Sequence, residues 1–136
     1  MQSIVSTSPD NSYKAIFEYA NEIRFGPAYY SLKVGDISFG GRVFGNAFLW
    51  SPDSRFFAVQ EWDSTSETQG PNTRLLLIDL ETQRECVLSR AEQGFIIPKQ
   101  FDHDKLIYTK KYYGKGVENE FEIEFLTLNR WESIKS

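Results

Sequence analysis

The sequence predicts an all-β chain of three consecutive four-stranded antiparallel meanders. Two observations carry the prediction. The first is a repeat: Ser51-Pro52-Asp53 follows Ser8-Pro9-Asp10 by 43 residues, and Gly70-Pro71 follows Gly26-Pro27 by 44. A steady period of this size marks a chain built from repeated supersecondary units. The second is the content of each unit, short apolar runs rich in Phe, Tyr and Trp, the residues that suit a pleated and half-buried surface.

In the first unit, residues 3–6 form the opening strand and Ser8-Pro9-Asp10 the turn. Residues 13–19 and 29–34 are the next two strands, joined by a polar loop over 20–26. Gly35-Asp36 then supplies the tight turn into residues 37–39, since Gly and Asp accept the backbone angles that hairpins require. The second unit repeats this with strands over 47–50, 56–62, 75–80 and 85–88, with its long loop over 63–70. In the third, Asp102-His103-Asp104-Lys105 takes the place of the Ser-Pro-Asp turn, and strands are expected over 95–98, 106–112, 121–128 and 131–134. The units divide one domain, 1–136, into 1–43, 44–92 and 93–136. No window shows a helical stripe; residues 90–93 are the best stretch for a single helical turn. Core side chains are expected from all three units: Ile16, Phe57, Val59, Leu76, Ile78, Ile107, Phe121, Ile123 and Leu126.

The segment Trp50-Ser51-Pro52-Asp53-Ser54-Arg55-Phe56-Phe57-Ala58-Val59 resembles the second-strand entry of WD-repeat and TolB-type β-propeller blades. Leu77-Ile78-Asp79-Leu80-Glu81-Thr82 is similar to the third strand and following turn of the same blades. The resemblance implies propeller-blade-like repeats around a pseudo-threefold axis. Propellers usually close with four to eight blades, and three units leave two outcomes open. Either three blades pack alone, or two chains pair to make six. The single-chain form is favoured because each unit holds all four of its strands.

Composition bounds the function. A net charge of −4 over 136 residues and a pI near 5.0 argue against nucleic-acid binding, which needs a basic face to neutralise phosphates. Cys86 is the only cysteine, so no intramolecular disulfide can form. The amino terminus has no basic and then apolar stretch of the signal-peptide kind, and no run is long enough to span a membrane, so a cytoplasmic protein is expected. His103, flanked by Asp102 and Asp104, is read as a turn substitute ahead of a metal or general-base site; Cys86 is read as a small buried residue ahead of a nucleophile. Gly40-Gly41-Arg42-Val43-Phe44-Gly45 opens no helix and is read as an inter-unit turn instead of a phosphate cradle. No enzyme, cofactor or metal site is expected.

Two acidic features remain. Glu120, Glu122 and Glu124 alternate with Phe121, Ile123 and Phe125, so their carboxylates share one strand face about 7 Å apart. That row suits a basic partner, or is a solvated outer face. The three long loops, over 20–26, 63–70 and 113–120, would emerge on one rim of such an assembly. They bring together Glu22, Asp63, Glu67, Glu118 and Glu120 above the aromatics Phe25, Trp62, Tyr112 and Tyr113. Aromatic anchors within an acidic rim compose a protein-binding surface; long polar loops on an acidic protein would look the same. By overall profile the chain looks like the immunity proteins that bacteria pair with polymorphic toxins. That implies occlusion of a basic toxin cleft, with no nucleic-acid or membrane partner, and a monomer is favoured over a homodimer. The alternative is a half-propeller scaffold unit that homodimerises within a larger complex.

Overall fold

A computed structural model describes residues 3–23, 26–63, 65, 71–112 and 115–135. It is all-β and antiparallel, with a strand overlapping each expected one. Where 121–128 is expected the strand covers 118–124, so Glu118 and Glu120 stand on a strand instead of in a loop. The strands are β1 (Ser3–Thr7), β2 (Lys14–Glu22), β3 (Ala28–Val34), β4 (Ile37–Ser38), β5 (Val43–Trp50) and β6 (Phe56–Trp62). The rest are β7 (Thr73–Asp79), β8 (Arg84–Ala91), β9 (Gly94–Asp102), β10 (Lys105–Tyr112), β11 (Glu118–Glu124) and β12 (Glu132–Ser133). Residues 90–93 make no helical turn; they end β8 and turn the chain from the large sheet into β9 of the small one, with Gln93 at φ 51°. No helix among the described residues is long and apolar enough to cross a membrane.

The two Ser-Pro-Asp turns are the same structure, bond for bond. Ser8 N donates to Tyr13 O at 2.9 Å and Asn11 N to Ser8 O at 2.9 Å; Ser51 N donates to Phe56 O and Ser54 N to Ser51 O, both at 2.9 Å. The serine hydroxyl accepts from Tyr13 N at 3.0 Å or Phe56 N at 2.9 Å. It donates to the aspartate, at 3.1 Å to Asp10 and 2.6 Å to Asp53. Each aspartate also accepts from the backbone two residues on, Ser12 N at 2.9 Å and Arg55 N at 3.1 Å. The residue after each aspartate takes the left-handed conformation, Asn11 at φ 65° and Ser54 at φ 64°. The turns also touch: Asp10 N donates to Ser54 Oγ at 3.0 Å. The third turn is different. Asp102 pairs with Lys105, leaving a two-residue hairpin loop of His103-Asp104.

Pairing departs from three equal units about an axis. Units one and two share one sheet, ordered β1-β2-β3-β5-β6-β7-β8-β12 with β4 on β3, joined by the single pair Tyr30–Phe44. The third unit forms a separate sheet, β11-β10-β9, and its last strand leaves it: β12 pairs with β8 through Glu132–Glu85 and Ser133–Arg84. Neither sheet closes on itself. The cause lies between β11 and β12, where Phe125 and Trp131 both pack on Phe56 of the middle unit, at 5.0 and 6.2 Å between ring centroids. Burying those rings draws the chain across to β8.

The middle unit is covered on both faces. Every residue of β6 is buried, and six of seven in β7. Phe57, Val59, Leu76 and Ile78 face a cluster with Ala15, Phe17, Leu32 and Val34 of unit one. Phe56, Ala58, Leu75 and Leu77 face a second cluster with Ile96, Leu106, Tyr108 and Phe125 of unit three. Outside the middle unit the expected core needs correction by one residue. Ile16 and Ile107 are only half-buried, while Ala15, Phe17, Leu106 and Tyr108 point inward. Because side chains alternate with period two, choosing the wrong member of an apolar pair inverts the whole strand. In unit three Phe121 is 38% and Leu126 57% exposed, Ile123 is half-buried, and Phe125 takes the core place.

Candidate protein-binding site

The ends of β2, β6 and β10 and the starts of β3, β5, β7, β9 and β11 lie at one end of the molecule, since Trp62 pairs with Val43 and Thr73 while its ring meets Tyr29 at 5.5 Å and Phe95 at 6.0 Å. Trp62 is 4% exposed, a wall of the structure instead of a protruding anchor. Its indole N–H donates to Gln60 Oε1 at 2.7 Å, and Gln60 Nε2 donates to Ile96 O at 3.0 Å. Gln60 lies so close over Gly45 that any side chain there would collide with it. What Trp62 offers outward is the floor of an open groove of about 290 Å³, lined also by Ala28, Gly45, Phe95, Ile97 and Lys111. All three units contribute to it.

Phe95, Ile97 and Lys111 are where the groove borders the outer face of the small sheet. Cross-strand pairs set Glu118 beside Lys111, Glu120 beside Thr109, Glu122 beside Ile107 and Glu124 beside Lys105; Lys111 and Thr109 in turn pair with Phe95 and Ile97. Directly opposed residues share a face, so the four exposed glutamates share the outer face with Lys105, Ile107, Thr109 and Lys111 of β10, of which Lys111 lines the groove. Glu118 accepts from Thr109 Oγ1 at 2.7 Å and lies 3.4 Å from Lys99 Nζ, which together hold its carboxyl below the usual range. Glu122 meets Lys105 Nζ at 3.5 Å.

The other expected site residues are distributed unevenly. Glu22 is exposed at the end of β2, paired with Ala28 at the groove. Asp63 is committed to ion pairs, with Arg74 Nε at 3.3 Å and Arg90 Nη1 at 3.1 Å. Tyr112 is half-buried and opens, with Arg90 and Lys115, onto a different depression. Phe25, Glu67 and Tyr113 lie outside the described residues.

Behind the site sits a charge network absent from the sequence reading. Arg42 grips Glu61 with two bonds, Nε to Oε2 at 2.7 Å and Nη2 to Oε1 at 2.8 Å, and Arg74 Nε reaches the same Oε1 at 2.9 Å. Arg42 Nη1 also donates to Glu85 Oε2 at 3.2 Å and to Lys135 O at 2.8 Å, tying the end of the chain to both. Oε1 of Glu85 lies 2.8 Å from Arg42 Nη2 but out of line for a hydrogen bond. Burial pushes the Glu61 carboxyl up, and the two arginines outweigh it and hold it below the usual range. The signal was present in sequence as Gln60-Glu61 inside an otherwise apolar run, because buried charges must be paired.

His103 is 93% exposed on its side chain, with Nδ1 2.8 Å from Asp102 Oδ1. It edges a groove floored by Phe56, Phe101 and Phe125. Among the described residues no group of three His, Cys, Asp or Glu side chains could hold a metal ion. Cys86 is buried in the second cluster, and burial raises its thiol despite the counter-pull of Arg130. No family model, curated protein or solved structure matches this chain.

Proposed function

We propose that the chain is a small protein-binding module, an immunity or inhibitor protein that neutralises a cognate toxin by occluding its active site. The observation that supports this reading is the exposed row of Glu118, Glu120, Glu122 and Glu124 on the strand next to β10, whose Lys111 pairs with Glu118 and lines a groove with Phe95 and Trp62. In this reading the acidic row draws in a basic surface, and the aromatic groove gives it an apolar place to rest. Charge sets encounter rate and register; desolvation at the groove sets lifetime. The module needs no cofactor, performs no chemistry of its own, and acts as a cytoplasmic monomer where the toxin would act.

Co-expression tests it. A toxin domain encoded beside this chain's gene should kill a host alone and lose that effect when this chain is present, with a one-to-one complex recovered from the cells. An isolated gene, or unprotected cells despite abundant folded chain, removes the immunity reading.

A second reading is the half-propeller scaffold, in which two chains pair blade-like units into six. Its support is the bond-for-bond likeness of the two Ser-Pro-Asp turns and the open edge of β1, where Val5 is 58% exposed. Sedimentation decides between them: a strict monomer at micromolar concentration removes the scaffold.

A further inference from the structure

The small sheet has two edges, and they are treated differently. On β9 the outward backbone of Gly94 and Ile96 is satisfied by the large sheet. Ile96 N donates to Thr73 Oγ1 at 2.9 Å, Ile96 O accepts from Gln60 Nε2 at 3.0 Å, and Gly94 O accepts from Thr73 Oγ1 at 2.9 Å. β11 is the last strand on the other side, and no described backbone group beyond β10 bonds to it.

The register tells which groups are free. Phe125 N donates to Asp104 O at 3.0 Å, flanking the pair Lys105–Glu124. In an antiparallel ladder this makes Lys105–Glu124 a pair without mutual hydrogen bonds, and the pattern alternates from there. No register break interrupts β10–β11. Asn119, Phe121 and Ile123 therefore bond to β10, and Glu118, Glu120, Glu122 and Glu124 present their N–H and C=O groups outward. The residues with free backbone are the ones with the carboxylates.

We propose that β11 is a docking edge, to which a partner adds an extended segment of alternating basic and apolar residues as a fourth strand. This rests on the protein-binding reading above and names how the partner engages. The added strand would place its basic side chains opposite the glutamates and its apolar ones over Phe121 and Ile123. Phe121 is 38% exposed although it stacks on Tyr108 at 5.5 Å, so it has surface left to cover. Proteins protect edges from pairing by making them very short, bulged, covered or charged; β11 is seven residues long and regular, and its four glutamates are the one such device on it. That charge discriminates between partners. A second copy of β11 paired antiparallel about Phe121 would set Glu118 against Glu124 and Glu120 against Glu122, which repel. A basic strand meets no such barrier.

The probe is a fluorescent peptide of about nine residues alternating lysine and valine, long enough to span β11. Its control has the same composition with all lysines in one block. The alternating peptide should bind the full chain at least about tenfold tighter than the block control. In the complex the Glu120 and Glu122 amides should exchange with solvent more slowly. Glu122→Pro should weaken the alternating peptide by at least about tenfold. It removes an outward donor but no ladder bond, so the melting temperature should hold. Equal binding of both peptides, unchanged Glu120 and Glu122 exchange, or no binding near 1 mM would each overturn strand addition. Those results would leave the protein-binding reading to the co-expression assay. The exchange measurement needs no variant, so it decides even if Glu122→Pro fails to fold.

Discussion

Thr73 of the large sheet holds Ile96 of the small one: its hydroxyl accepts from Ile96 N at 2.9 Å and donates to Gly94 O at 2.9 Å, all of it buried. With Gln60 on Ile96 O, two side chains replace the neighbouring strand that β9 lacks. Thr73→Val keeps the shape and strands both backbone groups. It should cost about 1–3 kcal/mol in chemical denaturation, whereas Thr73→Ser should recover most of that. Equal stability of the valine variant would mean that packing alone joins the sheets.

The strand faces are checked by paired truncations. Phe17 is fully buried and stacks on Phe48 at 5.1 Å, while its neighbour Ile16 is half-buried. Phe17→Ala should cost about 3–5 kcal/mol and Ile16→Ala clearly less. Phe57→Ala and Ile78→Ala, in the doubly covered middle unit, belong with Phe17. The order of melting temperatures reads the result.

Asp53→Ala should destabilise by about 0.5–1.5 kcal/mol, because the turn loses the bonds from Ser51 Oγ and Arg55 N. Its equivalent, Asp10, has a carboxyl held down to about 2, chiefly by Ser12 N–H and the Ser12 side chain. A depressed carboxyl stabilises the fold above its unfolded pKa of about 3.8 and loses that contribution as pH falls toward 2. Proton titration by NMR should find Asp10 in that window, and Asp10→Asn should flatten the stability profile between those two pH values.

Arg42→Met should be the most damaging of the polar changes, about 3–5 kcal/mol. It leaves Glu85 without its arginine and Glu61 with Arg74 alone, and it frees Lys135 O. Glu61 is depressed in the native protein, so its contribution is present at neutral pH and fades on acidification. The gap between native and variant protein should therefore narrow as pH falls. A constant gap in urea unfolding at different pH values would assign the loss to packing against Phe39 and Phe44 instead.

Reversal of Glu120 and Glu122 to Lys, both exposed, should leave stability within about 0.5 kcal/mol and slow association with a basic partner. Added salt should shrink the difference, since exposed charges act over roughly a Debye length. Asp63 is a poorer choice for this test, because its ion pairs with Arg74 and Arg90 make it structural.

Features that depend on neighbours a few residues away were legible in the sequence. The alternation of glutamate with Phe121 and Ile123 was visible, and so was the turn chemistry of Ser8-Pro9-Asp10 and Ser51-Pro52-Asp53, because each turn closes its bonds within six residues. Tertiary structure alone decided which strand meets which. Nothing local in Glu132-Ser133 distinguishes β8 from β11 as its partner; the burial of Phe125 and Trp131 against Phe56 does. The inward face of β2 or β10 was equally hidden, since Ala15-Ile16-Phe17 and Leu106-Ile107-Tyr108 are apolar on both sides of the pleat. The choice is made by the middle unit that each strand packs on, far away in the chain. The free edge of β11 follows from the same cause: once those rings carry the chain to β8, the strand beside β10 is left without a neighbour.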